Sequence, residues 1–247
     1  MRLINRKILL GIGLLLLSAF VYLLHYFIFR DPHHIFIYMV GDIAFVFTEV
    51  LLVTLIIHHL LEEREKRSRL EKLNMVIGAF FSEVGTPLLK ELSRLDPDKE
   101  KAKEKLAVKG EWDKKSFSNA HQWLMDYHFT IENQAFDLDA LRDFLMEKRD
   151  FLLRLLENPN LLEHESFTEL LRAVFHLTEE LGARGTLTEL PKADLKHLSN
   201  DIKRVYGELT MQWLQYMNYL KGNYPYLFSL ALRTNPFDED ASVVIRN

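Results

Sequence analysis

Hydrophobic and polar positions divide the chain at Leu61. Ile8 to Phe29 is a run of 22 residues without a formal charge, and Ile35 to Leu61 is a run of 27 in which only Asp42 and Glu49 are charged. At 1.5 Å rise per residue the second run makes roughly 40 Å of helix, more than a bilayer core requires. Both runs predict membrane-spanning helices, over about 8–29 and 35–61. The connection between them, Arg30-Asp31-Pro32-His33-His34, is short, and Pro32 predicts a turn within it. The expectation for 1–61 is an antiparallel transmembrane hairpin with no sensor domain between its arms.

Beyond Leu61 the composition inverts to Glu62-Glu63-Arg64-Glu65-Lys66-Arg67. Apolar residues then recur at Leu70, Leu73, Ile77, Phe80 and Val84, spaced 3, 4, 3 and 4, which is the seam of a helix packing along one narrow face. The segment 62–93 is therefore expected to be an exit helix, either a short coiled coil that self-associates or an ordinary amphipathic helix. Gly85-Thr86-Pro87 predicts a break inside it, with Thr86 suited to the N-cap and Pro87 to the first helical position. Residues 94–112 alternate lysines with acids around Pro97 and read as a charged linker or a solvated helix.

From 113 to 237 the pattern is helical throughout. Helices are expected near Lys115–Ile131, Leu138–Glu157, Ser166–Leu181, Lys192–Lys221 and Pro225–Arg233, separated by Asn158-Pro159-Asn160, Gly182 to Gly185, and Gly222-Asn223. The best patterned places Leu195, Leu198, Ile202, Val205, Leu209, Trp213, Tyr216 and Leu220 on one stripe. Runs of alternating β-branched residues are absent, so the expected class is all-α: a two-helix hairpin, a long exit helix and a C-terminal helical bundle. The tail 238–247 is expected to be disordered.

Charge sharpens this picture. The chain carries 31 Lys and Arg against 35 Asp and Glu, net −4. Arg2, Arg6, Lys7 and Arg30 oppose Asp31, Asp42 and Glu49 in residues 1–61, net +1, so the remainder carries −5. Without a clustered basic face, nucleic acid is not an expected partner. Basic residues flank the start of the first run and the end of the second, with Arg30 alone in the turn, so both termini are expected in the cytoplasm and the chain in the inner, cytoplasmic membrane. No small-x-small cleavage pattern follows the first run, which reads as a retained span rather than a signal peptide. Cysteine is absent, which excludes disulfides, thiolate metal sites and a cysteine nucleophile.

Candidate chemistry begins with Asp42 and Glu49, seven residues apart and hence on one helical face. A carboxylate in hydrocarbon costs roughly 2.5–3.5 kcal/mol, so each must face protein or water or be protonated. They either fix helix register at an interface or, with His25, form relays of an ion or proton path through an oligomer. His33 and His34 crowd the turn beside Asp31, and His58 and His59 each have an acid four residues on, Glu62 and Glu63. Adjacent histidines point in different directions on a helix, so interfacial anchoring is the expected role and no metal or cofactor is expected. His121, His128, His164, His176 and His197 lie on separate stretches and read as surface or core-edge residues. Phosphate-loop, nucleophile-elbow and zinc-protease motifs are missing, so no catalytic activity is expected. Tyr224, Tyr226, Phe228 and Phe237 concentrate aromatic surface in a short segment, expected to dock against the helical domain or the membrane.

Ser82-Glu83-Val84-Gly85-Thr86-Pro87-Leu88 resembles the phosphoacceptor box of bacterial sensor histidine kinases. Ser82 stands at the position of the phosphorylated histidine and Gly85 at that of the usual arginine, and no asparagine box or glycine-rich lid follows. The resemblance thus implies a dimerisation-type helix without phosphotransfer. The C-terminal run from Tyr224 to Phe237 is similar to that of a group of small prokaryotic two-span membrane proteins with helical cytoplasmic domains. These features together lead to the expectation of a non-enzymatic, self-associating membrane anchor for signalling or scaffolding, with the lipid bilayer and a cytoplasmic protein as partners.

Overall fold

The computed structural model describes residues 2–130, 137–162, 164–238 and 241–244. Its helices are α1 (Arg2–Phe29), α2 (Pro32–Phe80), a π-helical turn (Phe81–Gly85), α3 (Thr86–Arg94), α4 (Lys99–Leu106), α5 (Lys114–Asp126), α6 (Leu138–Leu156), α7 (Pro159–Leu162), α8 (Glu165–Gly182), α9 (Lys192–Asn223) and α10 (Pro225–Arg233). No strand occurs among the described residues, and the chain is all-α. It divides into two compact units, Met1–Arg67 and Ser68–Asn247.

In the first unit the turn is shorter than the five-residue connection expected: only Arg30 and Asp31 lie outside helix. Arg30 takes a positive φ of 49°, and Asp31 acts as N-cap, its Oδ1 accepting the backbone N–H of His33 at 3.0 Å and of His34 at 3.2 Å. Pro32 occupies the first helical position, where its missing N–H costs nothing. From Ile8 onward, burial is confined to the turn end, at half-buried His25, Ile35 and Met39. The segments Ile8–Phe29 and Pro32–Arg94 are long and apolar enough to cross a membrane, and none of their most apolar stretch is buried within the chain.

The second unit is built around α9. Its buried residues include the stripe Leu198, Ile202, Val205, Leu209, Trp213 and Leu220, but also Tyr206, Thr210, Leu214 and Met217 on other faces, because α3, α5, α8 and α10 all pack against it. α8 buries Phe167, Leu170, Leu171, Val174, Leu177 and Leu181 between α9 and α6. Side-chain caps start three of these helices: Asp113 accepts from Ser116 N–H at 2.8 Å, Asp137 from Ala140 N–H at 2.9 Å, and the His164 Nδ1 from Phe167 N–H at 3.2 Å. Each satisfies one of the donors a helix start leaves unpaired.

Several expectations are corrected here. The seam Leu73, Ile77, Phe80 and Val84 is buried inside this unit rather than presented to a second chain, and Leu70 alone of the five is exposed. Phe80 meets Phe167 of α8 edge-on at 5.3 Å, and Phe81 stacks on Tyr216 of α9 at 5.1 Å. The exit helix is therefore part of the bundle. So is the expected linker 94–112: Asp96, Ala102, Leu106 and Val108 are buried in the same core. Gly85-Thr86-Pro87 does not break the helix. Thr86 makes no side-chain cap; its N–H bonds the Phe81 carbonyl five residues back, and the ladder widens into a π-turn just before Pro87. A proline within a helix lacks a donor and presses its ring on the carbonyl four residues earlier, and the wider turn accommodates both. The helix expected over Lys115–Ile131 ends early, at Asp126, where Tyr127 turns extended at φ −80° and ψ 125°; Ile131 itself lies outside the described residues, as do 239, 240 and 245–247 of the tail. The described tail is held, since Arg233 donates to the Val243 carbonyl at 2.6 Å.

Candidate functional site

Three groups of polar residues stand out. The first is the set expected within the apolar helices. Asp42 and Glu49 are exposed on α2, and His25 is half-buried near the turn, stacked on Phe29 at 4.7 Å. Among the described residues no hydrogen bond or ion pair joins these three; the fold of one chain places them apart. His58 and His59 face Glu62 and Glu63 at 3.2 and 3.5 Å, each pair one helical turn apart and all four exposed.

The second lies in the former linker. The Asp96 carboxylate, 1% exposed, accepts from the Tyr127 hydroxyl at 2.7 Å and from its own loop at Asp98 N–H, 3.0 Å. Burial, then the hydrogen bond to Asp96, push the Tyr127 ionisation far up. Tyr206, wholly buried beside them, is pushed up by burial first and the Asp96 charge second. These phenols stay neutral at any ordinary pH; the Tyr127 bond ties the α3–α4 loop to the end of α5, and the Tyr206 hydroxyl is buried without a hydrogen bond.

The third was missed in the sequence. α8 and α9 each contribute a histidine and, one turn later, an acid: His176 with Glu180, and His197 with Asp201. Asp201 Oδ2 lies 3.4 Å from the Nε2 of both histidines, and Glu180 Oε2 lies 3.5 Å from His197 Nε2. Asp201 is 8% exposed, and its Oδ2 has no hydrogen-bond partner. Arg184, in the loop after α8, grips Asp194 with a two-pronged fork at 2.6 and 3.0 Å and donates to Glu180 Oε2 at 2.8 Å. The Arg184 bond holds the Glu180 carboxyl below its usual range, with the histidine charges as smaller causes, and the same guanidinium depresses Asp194. The sequence signal was present as His-x-x-x-acid on both helices, but only the packing of α8 on α9 brings the two together.

Because folded Glu180 and Asp194 titrate below their unfolded values, what they add to stability is full above the ordinary carboxylate range and is lost as pH falls through their depressed values. Arg184→Met is expected to flatten the acid limb of a thermal-midpoint profile between pH 7 and pH 3; an unchanged limb would show that the fork adds nothing.

The family described as "MJ1433, N-terminal helical domain" matches residues 2–61, and that described as "Uncharacterized protein MJ1433, C-terminal helical domain" matches residues 69–233. Uncharacterized protein MJ1433 of Methanocaldococcus jannaschii is 49% identical over 237 residues, covering 96% of this chain and 95% of that protein. The chain belongs to the MJ1433 family. No solved structure matches it. The compact units divide between Arg67 and Ser68, within the stretch 62–68 that neither domain match covers. His176, Glu180 and His197 fall in the C-terminal MJ1433 domain.

The remaining expected sites are divided by the fold. Phe228 and Phe237 of the docking segment are core residues, Phe237 edge-on to Trp213 at 5.2 Å, while Tyr224 and Tyr226 are exposed, Tyr226 at 92%. The kinase-like stretch forms the π-turn and the start of α3; Ser82 and Glu83 are exposed, and Glu83 pairs with Lys148 of α6 at 3.3 Å.

Proposed function

We propose that the chain is a non-enzymatic integral membrane protein whose two spans are α1 and the apolar part of α2, with both termini and the helical unit in the cytoplasm. It acts as an anchor for signalling or scaffolding and self-associates through its hairpin. One observation carries this reading. Between Ile8 and Leu61 leucine, isoleucine, valine and phenylalanine are nearly all exposed, whereas from Leu73 onward most of them are buried, so that Leu15 is 73% and Phe47 75% exposed while Leu89 and Leu92 are fully covered. Apolar surface on that scale is stable against lipid and unstable against water. Basic residues at both ends of the hairpin support the orientation.

Self-association is assigned to the hairpin because the seam after Leu70 is already used internally and Asp42 and Glu49 need partners that one chain does not supply. The kinase-like stretch contributes helix, not phosphotransfer or dimerisation. A cytoplasmic partner has an apolar groove of about 590 Å³ available, lined by Met75, Gly78 and Ser82 opposite Tyr219, Leu227 and Leu230. A reporter fused after Asn247 is expected to work only in the cytoplasmic form, and crosslinking in membranes to yield dimers or higher species. Reporter activity outside the cytoplasm sinks the topology; monomer alone at native expression sinks self-association.

A second reading follows from the placement of Asp42 and Glu49 on one exposed face: an oligomeric ion or proton pathway with His25 near its outer end. Acid-dependent flux in liposomes that disappears with Glu49→Gln would favour it over scaffolding.

A further inference from the structure

We propose that His176, His197 and Asp201, with Glu180 as fourth donor, form a binding site for a divalent transition-metal ion of the zinc class, stapling α8 to α9. An ion with bonds of about 2.0–2.1 Å to nitrogen and oxygen holds its tetrahedral donors about 3.3–3.4 Å apart. The donor separations here are 3.4 Å from Asp201 Oδ2 to the Nε2 of both His176 and His197, while Glu180 offers Oε2 at 3.5 Å from His197 and its other oxygen, Oε1, at 3.9 Å from His176. His176, Glu180 and His197 place their donor atoms within 4.8 Å of one another.

Asp201 supplies an independent observation. The residue is 8% and its side chain 12% exposed, and its buried Oδ2, 3.4 Å from the Nε2 of both imidazoles, has no hydrogen bond. A buried carboxylate oxygen left without a donor is costly unless a cation reaches it. Its other oxygen has Arg204 at 3.6 Å, which orients the carboxylate, while Arg184 holds Glu180 through Oε2 at 2.8 Å, so Oε1, 3.9 Å from His176 Nε2, is the Glu180 oxygen open to an ion. Two imidazoles and two carboxylates favour Zn²⁺, Co²⁺ or Ni²⁺ over Ca²⁺ and Mg²⁺, which take oxygen donors. Donors drawn from both α8 and α9 make such an ion a cross-link between the two helices, the role of a structural ion.

The site would appear in full-length protein purified in detergent without a histidine tag, stripped with chelator and titrated with Co²⁺, then with Zn²⁺ against a chromophoric chelator. One equivalent is expected to bind per chain, with the visible absorption of tetrahedral Co²⁺ and a higher thermal midpoint for the helical unit. Because loss of a residue supporting a metal ligand already weakens such sites roughly 10–100-fold, His176→Ala or His197→Ala is expected to cost more than ~100-fold in affinity. Both histidines are about half exposed, so these variants should fold, which tryptophan fluorescence checks; Asp201→Asn tests the buried donor without changing its size. The exposed pairs His58–Glu62 and His59–Glu63 are the competing sites, and His58→Ala/His59→Ala is expected to leave binding unchanged. Absence of stoichiometric binding, or binding that survives in the His176→Ala/His197→Ala variant, overturns the proposal.

Discussion

Phe80→Ala is expected to destabilise the helical unit by about 3–5 kcal/mol, the range for emptying a buried aromatic site. In a unit of this size that is a fall of roughly 6–20 °C in thermal midpoint. Phe80 is fully covered and meets both Phe81, at 5.4 Å, and Phe167 edge-on. No neighbour can fill the gap without breaking one of these ring contacts. The readout is unusually clean, because all three tryptophans, Trp112, Trp123 and Trp213, lie in the second unit and none in the apolar helices. Their fluorescence reports unfolding of that unit alone. Leu70→Ala, at a position 45% exposed, is the control and should cost little. If Leu70 and Phe80 variants lost stability equally and in proportion to protein concentration, the seam would have to be an interface between chains after all.

Ending the chain after Lys221 is expected to have an effect at least as large. The truncation uncovers the sites of Phe228 and Phe237, each 7% exposed or less, and removes the edge-on contact on Trp213. At about 1.5–3 kcal/mol for each buried aromatic the loss is about 3–6 kcal/mol, comparable with the whole stability of many domains. It also removes the Pro236 carbonyl that accepts from Ser93 and the Asn235 amide that reaches the Leu106 carbonyl, the two bonds that tie this segment to α3 and α4. A truncated chain whose tryptophan melting matched the full one would reassign the segment to binding a partner or membrane through Tyr224 and Tyr226.

Helix positions were readable from the sequence wherever a 3.6-residue stripe met a capping residue or a proline. α6, α8, α9 and α10 begin and end within two residues of the ranges expected from their stripes and from the breaks at Asn158-Pro159-Asn160, Gly182 to Gly185 and Gly222-Asn223. What a stripe faces was not readable. Leu73, Ile77, Phe80 and Val84 announce a buried face, but the same spacing serves a second copy of the chain or α8 and α9 of the same one. In 94–112 the charge density masked the buried positions, since Ala102 and Leu106 are the sole buried apolar contributions of α4 to the core. His176 and His197 are 21 positions apart in sequence, and nothing local says that two helices will lay them across one buried aspartate.

The π-turn makes the chain length around it a fixed quantity. Up to and into it the buried face advances through Leu73, Ile77, Phe80 and Val84; after it, through Leu88 and Leu92, one position later than an unbroken 3-4 spacing from Val84 would reach. The turn therefore works as a register shift of a single residue. Deleting Ser82, although its side chain touches little, would carry α3 round by about 100° or drive the ring of Pro87 into the backbone behind it. Inserting one residue would rotate the face the other way. Gly85 leaves no slack either, since a Cβ there would sit 2.6 Å from the Phe81 ring. Between Phe80 and Leu88, sequence length is under tighter constraint than sequence identity, whereas at Gly110, where an added Cβ meets open space, a residue more or less should pass unnoticed.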